Sequence, residues 1–357
     1  MSRKITIRDV AEKAGVSISS VHLALNGKRG VSEETRKEIK RVAEELGYHP
    51  NVIASTLKRK SGCIAILVPD VMDNNRYYYP PIWKGIRGYI DQDIAGLEFL
   101  EFPYNDSTAR ETEDKLSKLL HAHEINGLLT VGHENVLTEE DWRLIEEQDI
   151  KVVFISSVEP NRKRLTSVEP SYEIIGRTMA ELITSRIEPY GSIFLCAGNP
   201  KYLAHSRVVR GFDAYLEENN IPNLVYKDYS WTIDESNYLH ILREISRQDV
   251  AACAAVHSQG TILIGRALEE SGKAGNMIAV GSDISEETTR RIEAGTLTYV
   301  IQKNPNAQSY LGLQALADYF MAGKTPKKQT IYVGSEVVLK SNLIMYEDGS
   351  YNGIMLN

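Results

Sequence analysis

Cysteine is scarce in this chain: among 357 residues there are three, Cys63, Cys196 and Cys253, far apart and each inside an apolar run. With no C-x-x-C pair, the pattern predicts buried thiols in a reducing compartment and neither a disulfide framework nor a zinc cluster. His121 and His123 stand two apart, on different sides of any helix, so no metal site is expected there. No apolar run approaches the roughly 18 residues that a membrane-spanning helix needs. The opening residues Met1 to Val10 carry charge but no apolar core, which predicts neither leader nor anchor, hence a cytoplasmic protein without a membrane partner. Also missing are G-x-S-x-G, H-E-x-x-H, a P-loop and a glycine-rich dinucleotide fingerprint, so neither an enzyme nor a bound cofactor is expected.

What is present is ordinary globular material, 42% hydrophobic and 25% charged, on a chain too long for one core. The net charge of −7 argues against a nucleic-acid partner until its distribution is seen. Residues 1–60 hold thirteen Lys or Arg against seven Asp or Glu, a balance of +6 that leaves −13 on the remainder. A basic head on an acidic body suits a DNA reader attached to a sensing domain.

The head divides into short helices by its caps. Thr6 with Asp9 three residues on opens a first helix that Gly15 stops, with Val10, Ala11 and Ala14 on one face. Ser17 caps a second, whose core face is Val21, Ala24 and Leu25 and whose stop is Asn26-Gly27. A tight glycine-containing turn between two such helices is the spacing of a helix-turn-helix, whose second helix lies in the major groove. Ser32 caps a third helix that buries Ile39, Val42, Ala43 and Leu46. Pro50 then opens about two turns of helix, 50–58, a length marginal in isolation that becomes ordered on DNA, where an apolar side chain such as Leu57 can wedge into the minor groove.

Residues 5–61, above all I-R-D-V-A-E-K-A-G-V-S, A-L-N, V-S-E-E-T-R, E-E-L-G-Y-H-P-N and A-S-T-L, resemble the lactose-repressor/galactose-repressor (LacI/GalR) family of bacterial transcription regulators. The resemblance implies base readout by Ile18, Ser19, His22 and Leu23, and backbone contacts from Thr6, Ser17, Ser20, Asn26 and Asn51. It also implies a minor-groove hinge at Ala54 and Leu57. Many members carry Ser-Arg where this chain has His22-Leu23, so the arginine that would fork onto a guanine is absent and a different operator is expected.

From Cys63 on, strand-length apolar runs (C-I-A-I-L-V, L-E-F-L-E-F, G-L-L-T-V, K-V-V-F-I, S-I-F-L-C-A, A-A-C-A-A-V, M-I-A-V-G) alternate with amphipathic stretches at 108–122, 171–187, 203–219, 233–247 and 259–271. That alternation predicts βαβ units and parallel sheets in two doubly wound lobes. The fold class expected is therefore an all-α helix-turn-helix domain with hinge helix, followed by a two-lobed α/β effector domain. The resemblance makes that domain periplasmic-binding-protein-like (type I), with strands exchanged near 158–164, 295–298 and 323–327. The expected domains are 1–61 for DNA binding and 62–345 for effector binding and dimerisation. Within the latter, lobe 1 covers about 62–160 and 297–324 and lobe 2 about 161–296 and 325–345; 346–357 form a tail without heptads, so a dimer and no tail-built tetramer is expected.

Ligands of open α/β sheets bind beyond the carboxyl ends of strands, which places the site between the lobes. The loops there offer Tyr79 within the Tyr77-Tyr78-Tyr79 run, Asn105, Ser171, Arg207, Trp231, His257, Asp283 and Lys303 as effector-binding candidates. The tyrosine run serves binding or lobe packing equally well. By the resemblance Asp283 matches a sugar-hydroxyl acceptor, Trp231 a stacking aromatic and Lys303 a position where binding proteins place Gln. A free cation at Lys303 would favour a carboxylate or phosphate on the ligand. The function expected is a homodimeric repressor that binds a palindromic duplex operator and whose affinity is set by a sugar or sugar derivative through closure of the lobes. Control by a phosphocarrier-type protein partner and a non-regulatory sugar-binding protein stand as the alternatives.

Overall fold

The structure, a computed structural model, describes residues 7–25, 31–46, 62–92, 94, 96–132 and 136–347. The chain separates into two compact units, residues 1–61 and 62–357.

In the first unit α1 (Ile7–Ala14), α2 (Ile18–Leu25) and α3 (Glu33–Glu45) share one core of Val10, Ala11, Val21, Ala24, Ile39, Val42 and Ala43. α1 ends at Gly15, whose φ of +64° a side chain would resist, and the Val16 amide returns to the Ala11 carbonyl at 3.0 Å. Ser17 then caps α2, its hydroxyl accepting the Ser20 amide at 3.1 Å, and Ser32 caps α3 by accepting the Thr35 amide at 3.2 Å. Arg36 reaches from α3 to the carbonyls of Leu23 (3.2 Å) and Ala24 (3.0 Å), placing a cation at the negative end of the α2 dipole.

The second unit holds two six-stranded sheets. Sheet 1 runs β2 (Leu97–Tyr104), β1 (Gly62–Pro69), β3 (Gly127–Val131), β4 (Lys151–Ile155), β5 (Thr166–Pro170), β11 (Thr330–Val333), all parallel. Sheet 2 repeats that order as β7 (Val225–Asp228), β6 (Ser192–Cys196), β8 (Val250–Ala255), β9 (Ile278–Ser282), β10 (Tyr299–Gln302), β12 (Glu336–Val338), with β12 antiparallel to β10. Each sheet is covered on both faces, which is why its strands read as continuous apolar runs. Ile64, Ile66 and Val68 face a core shared with α4 (Tyr79–Ile90) and α12 (Pro305–Ala322). Cys63, Ala65 and Leu67 face the one shared with α5 (Ala109–His121) and α6 (Glu139–Glu147). In sheet 2 the two sides are covered by α7 (Tyr172–Thr184) with α8 (Leu203–Glu218), and by α9 (Glu235–Ser246) with α10 (Ser258–Glu270). α11 (Glu286–Glu293) and α13 (Ile344–Glu347) complete lobe 2. No described helix is long and apolar enough to cross a membrane.

The chain passes between the lobes later than the sequence reading placed it: at 170–172, 302–305 and 333–336, not at 158–164, 295–298 and 323–327. Lobe 1 therefore keeps residues through Pro170 and gains β11, while β10 belongs to lobe 2. The reason is that β5, T-S-V-E-P, is wholly buried yet mostly polar, so it pairs with β4 (Val153 opposite Thr166) without an apolar run to announce it. The loop before it carries the turn residues that suggested a crossing.

The α7–α8 pair depends on two glycines. A Cβ on Gly176 would lie 1.9 Å from the Val208 carbonyl oxygen, and one on Gly211 2.0 Å from that of Glu173. Gly176→Ala should cost about 1–3 kcal/mol of overpacking and lower Tm by several degrees. Gly88→Ala, in α4 where a Cβ would meet nothing within 4 Å, should leave Tm unchanged or raise it. Equal melting temperatures for the two variants would contradict this packing.

Candidate functional site

Between the lobes lies an open cleft of about 960 Å³, its mouth included. Its walls are the loops that follow carboxyl strand ends in both sheets, where doubly wound folds place ligands. Lobe 1 contributes Asn74, Asn75, Tyr78 and Tyr79 after β1, Tyr104 to Asp106 after β2, and Ser156 and Ser157 after β4. Lobe 2 contributes Tyr202, Ala204 and His205 after β6, Trp231 after β7, and His257 to Gln259 after β8. Tyr172 and Lys303 line it from the two crossings beside it. Ser156, Asp283 and Asn304 all adopt left-handed backbone at strand ends around the cleft, with φ of 63°, 65° and 53°. Non-glycine residues held there cluster at functional sites.

Aromatic rings form much of the surface. Trp231 lies 5.7 Å from Tyr202, Tyr202 5.4 Å from His205, and His205 stacks on His257 at 5.0 Å and 25°. Opposite them Tyr78 meets Tyr79 edge to face at 5.3 Å, and the Tyr78 hydroxyl donates to Ser156 Oγ at 3.0 Å. The Tyr172 hydroxyl bonds the Ser156 carbonyl. Burial pushes both phenols up from their ordinary range, so they are neutral donors.

The polar groups are oriented from behind. Asp70 accepts from Asn105 Nδ2 at 2.7 Å and Asn75 Nδ2 at 3.2 Å, and Asn105 Oδ1 caps the following turn by accepting the Ser107 amide at 2.9 Å. His257 caps α10, its Nδ1 accepting the Gly260 amide at 3.2 Å, so the neutral ring carries its proton on Nε2. Burial, with Lys303 nearby, lowers its pKa to about 3. Its buried Nε2 has no partner. Lys303 Nζ sits 3.0 Å from Asp283 Oδ2 and donates to the Val256 carbonyl at 3.2 Å. No cluster of three or more metal-ligating side chains occurs among the described residues.

Of the effector candidates, Tyr79, Asn105, Trp231, His257 and Lys303 reach the cleft wall, while Asp283, Arg207 and Ser171 do not line it. Asp283 is buried behind Lys303, so it holds that cation and is not the front-wall acceptor that the resemblance implied. It follows that Lys303 is not the free cation that would call for an anionic ligand. Arg207 is spent on Glu169, at 2.9 Å, because Glu169 is buried at the end of β5 and needs a countercharge. Ser171 stands at the N-terminus of α7 and makes no capping bond. Ser156, Ser157 and Asp106 were missed: only the pairing of β4 with β5 brings the serine pair to the cleft, and a lone aspartate carries no signal.

In the head, Ser17 and Ser20 share a hydroxyl contact of 2.9 Å, and Leu23 is half-buried on α2. Thr6, Asn26, Asn51, Ala54, Leu57 and the side chains of Ile18, Ser19 and His22 lie outside the described residues.

Two family models match the chain: "Bacterial regulatory proteins, lacI family" over residues 6–51 and "Periplasmic binding protein domain" over residues 144–325. The catabolite control protein A of Priestia megaterium is 27% identical over 239 residues, 64% of this chain and 67% of that protein. The HTH-type transcriptional regulator RegA of Clostridium saccharobutylicum is 31% identical over 154 residues, 43% of each chain. The matched stretch thus spans about two thirds or less of these curated relatives. Among solved structures, an ABC transporter solute-binding protein from Burkholderia graminis in complex with D-arabinose superposes with a TM-score of 0.69 at 19% identity, over 81% of this chain and 99% of that one. GanP, a glucose-galactose binding protein from Geobacillus stearothermophilus, gives 0.65 at 21% identity, over 80% and 99%. At that identity the likeness is one of fold.

Glu169 has its second oxygen buried without a partner, and burial raises its pKa although Arg207 pulls it down. Arg207→Met would leave a buried carboxylate uncompensated and should cost about 3–5 kcal/mol near neutral pH. With the guanidinium gone the folded pKa rises further, so the group opposes folding most above that pKa. The deficit relative to the parent should shrink as pH falls through it, in urea melts at pH 8 and pH 5. A deficit that grows on acidification would refute the assignment.

Proposed function

This chain belongs to the LacI family of bacterial regulatory proteins, and from that premise we propose that it is a carbohydrate-responsive transcription repressor. In this reading it acts as a homodimer on a palindromic operator, and the interlobe cleft takes a sugar-like effector rather than performing catalysis. The observation that carries the reading is the joining of two sites on one chain: a capped three-helix unit with a helix-turn-helix turn, and an aromatic-lined cleft between doubly wound lobes.

The head supplies the chemistry of duplex recognition. Ser17 fixes the start of α2, and Arg36 fixes its end, so the helix that meets base edges is held at both termini. A surplus of six positive charges attracts the phosphate backbone, whereas the acidic remainder does not compete for it. Dimerisation would place two recognition helices in successive major grooves, roughly 34–36 Å apart.

The cleft supplies the chemistry of effector binding. Trp231, Tyr202 and the stacked histidines present flat faces to a ring, and hydroxyls, amides and Lys303 supply hydrogen bonds at its edges. Ligand and operator then bias one conformational equilibrium, with a reciprocal coupling of about 1–3 kcal/mol. Repression relieved by ligand is the sense we propose.

Two measurements test this. Fluorescence anisotropy on a palindromic duplex selected from a random pool should show affinity falling about 10³- to 10⁵-fold between 50 and 200 mM salt, as for about six to ten phosphate contacts. A sugar screen should find a ligand that stabilises the second unit by about 2.7 kcal/mol at 100 times its Kd and weakens operator binding. Salt-insensitive binding would defeat the DNA reading. A cleft ligand that leaves operator affinity unchanged would defeat the regulatory one.

A further inference from the structure

We infer that the cleft selects uncharged effectors and rejects their carboxylate or phosphate counterparts, because its one lining cation is neutralised from within the wall. The inference rests on the effector-binding reading above and goes beyond it by assigning the charge class of the ligand.

Among the described lining residues Lys303 is the one side chain of fixed positive charge. It is buried, as is Asp283 beside it, and their 3.0 Å contact is a full ion pair. The Asp283 carboxylate also accepts from Ser258 Oγ at 3.0 Å and Ser282 Oγ at 3.1 Å, so it is held in place as a permanent counterion. Of the three ammonium hydrogens, Asp283 and the Val256 carbonyl take two, leaving one for the cleft. An incoming anion would therefore meet a pair of net charge zero, and would lose its hydration without gaining a countercharge.

Arg207 is committed to Glu169, and Arg76 lies over the Tyr77 ring at 4.6 Å. The lining carboxylate Asp106, and Asp70 behind Asn105, share the sign of the ligand that would be excluded. What the wall does offer is hydrogen-bond donation without net charge. The His257 Nε2–H is a buried donor lacking a partner, and its ring lines the cleft together with Lys303. A hydroxyl or carbonyl oxygen can accept the third Lys303 hydrogen, and the rings of Trp231 and Tyr202 match the flat faces of a pyranose.

Isothermal titration calorimetry on the full chain with matched pairs tests this: D-glucose and D-glucuronate, D-galactose and D-galacturonate, D-ribose and D-ribose 5-phosphate. For at least one pair the neutral member should bind, at least tenfold tighter than its anionic partner. Asp283→Asn, checked for folding by circular dichroism, should unmask Lys303 and move that ratio at least tenfold toward the anion, and Asp283→Glu should restore the neutral preference. A parent protein that binds the anionic member as tightly or more tightly overturns the inference, whatever the variants do. So does a folded Asp283→Asn protein whose ratio is unchanged. Binding of neither member of any pair would sink the effector reading itself, and this inference with it.

Discussion

The second unit depends on a constraint of chain path: the polypeptide crosses three times between two sheets that are parallel but for β12, and every crossing leaves from the carboxyl end of a strand. β5, β10 and β11 end at Pro170, Gln302 and Val333, and the chain continues into the other lobe from each. Both sheets therefore turn carboxyl strand ends, and the loops that follow them, toward the space between them. A parallel strand cannot reverse tightly, so loops accumulate there, and the cleft is lined by what the strands leave behind.

Polar groups buried in that wall cost stability unless they are paired. The structure pairs them across elements: Lys303 with Asp283, Arg207 with Glu169, and Asp70 with Asn75 and Asn105. Such pairs contribute less to folding than an apolar core of equal volume would, but each fixes the direction in which a neighbouring donor points. His257 illustrates this: by capping α10 with Nδ1 it leaves its proton on the opposite nitrogen. The aromatic rings then give shape, and the oriented donors give direction. Close helix contact at Gly176 and Gly211 holds α7 and α8 in one relative position, so Tyr172 and Tyr202 come to the cleft from a stiff support.

The first unit solves a different problem. Helices of eight residues are unstable alone, and α1 and α2 are both that short. They persist because seven small or branched apolar residues close one core, and because Ser17, Ser32 and Arg36 satisfy helix ends that would otherwise face water unpaired. The exposed surface is thereby left to carry charge, as Lys13, Lys37, Lys40 and Arg41 do.

Sequence alone determined the local features. Ser17, Gly15 and Ser32 mark helix boundaries through backbone chemistry confined to a few residues, and C-I-A-I-L-V or K-V-V-F-I declare buried strands by composition. It also located several cleft loops, since strand ends are where apolar runs stop; Tyr79, Asn105 and His257 follow from that rule, whereas Trp231 and Lys303 were offered through the family resemblance. Hidden from it were β5, whose polar residues are buried because partner strands complete their hydrogen bonds, and the short edge strand β11, and with them the true crossings. Charge pairing was hidden as well. Asp283 and Lys303 are separated by twenty residues but meet at 3.0 Å, and Glu169 and Arg207 by thirty-eight but meet at 2.9 Å. A side chain's charge is written in the sequence, whereas whether that charge is spent depends on what the fold sets beside it, and only the tertiary structure decided that Lys303 is spent.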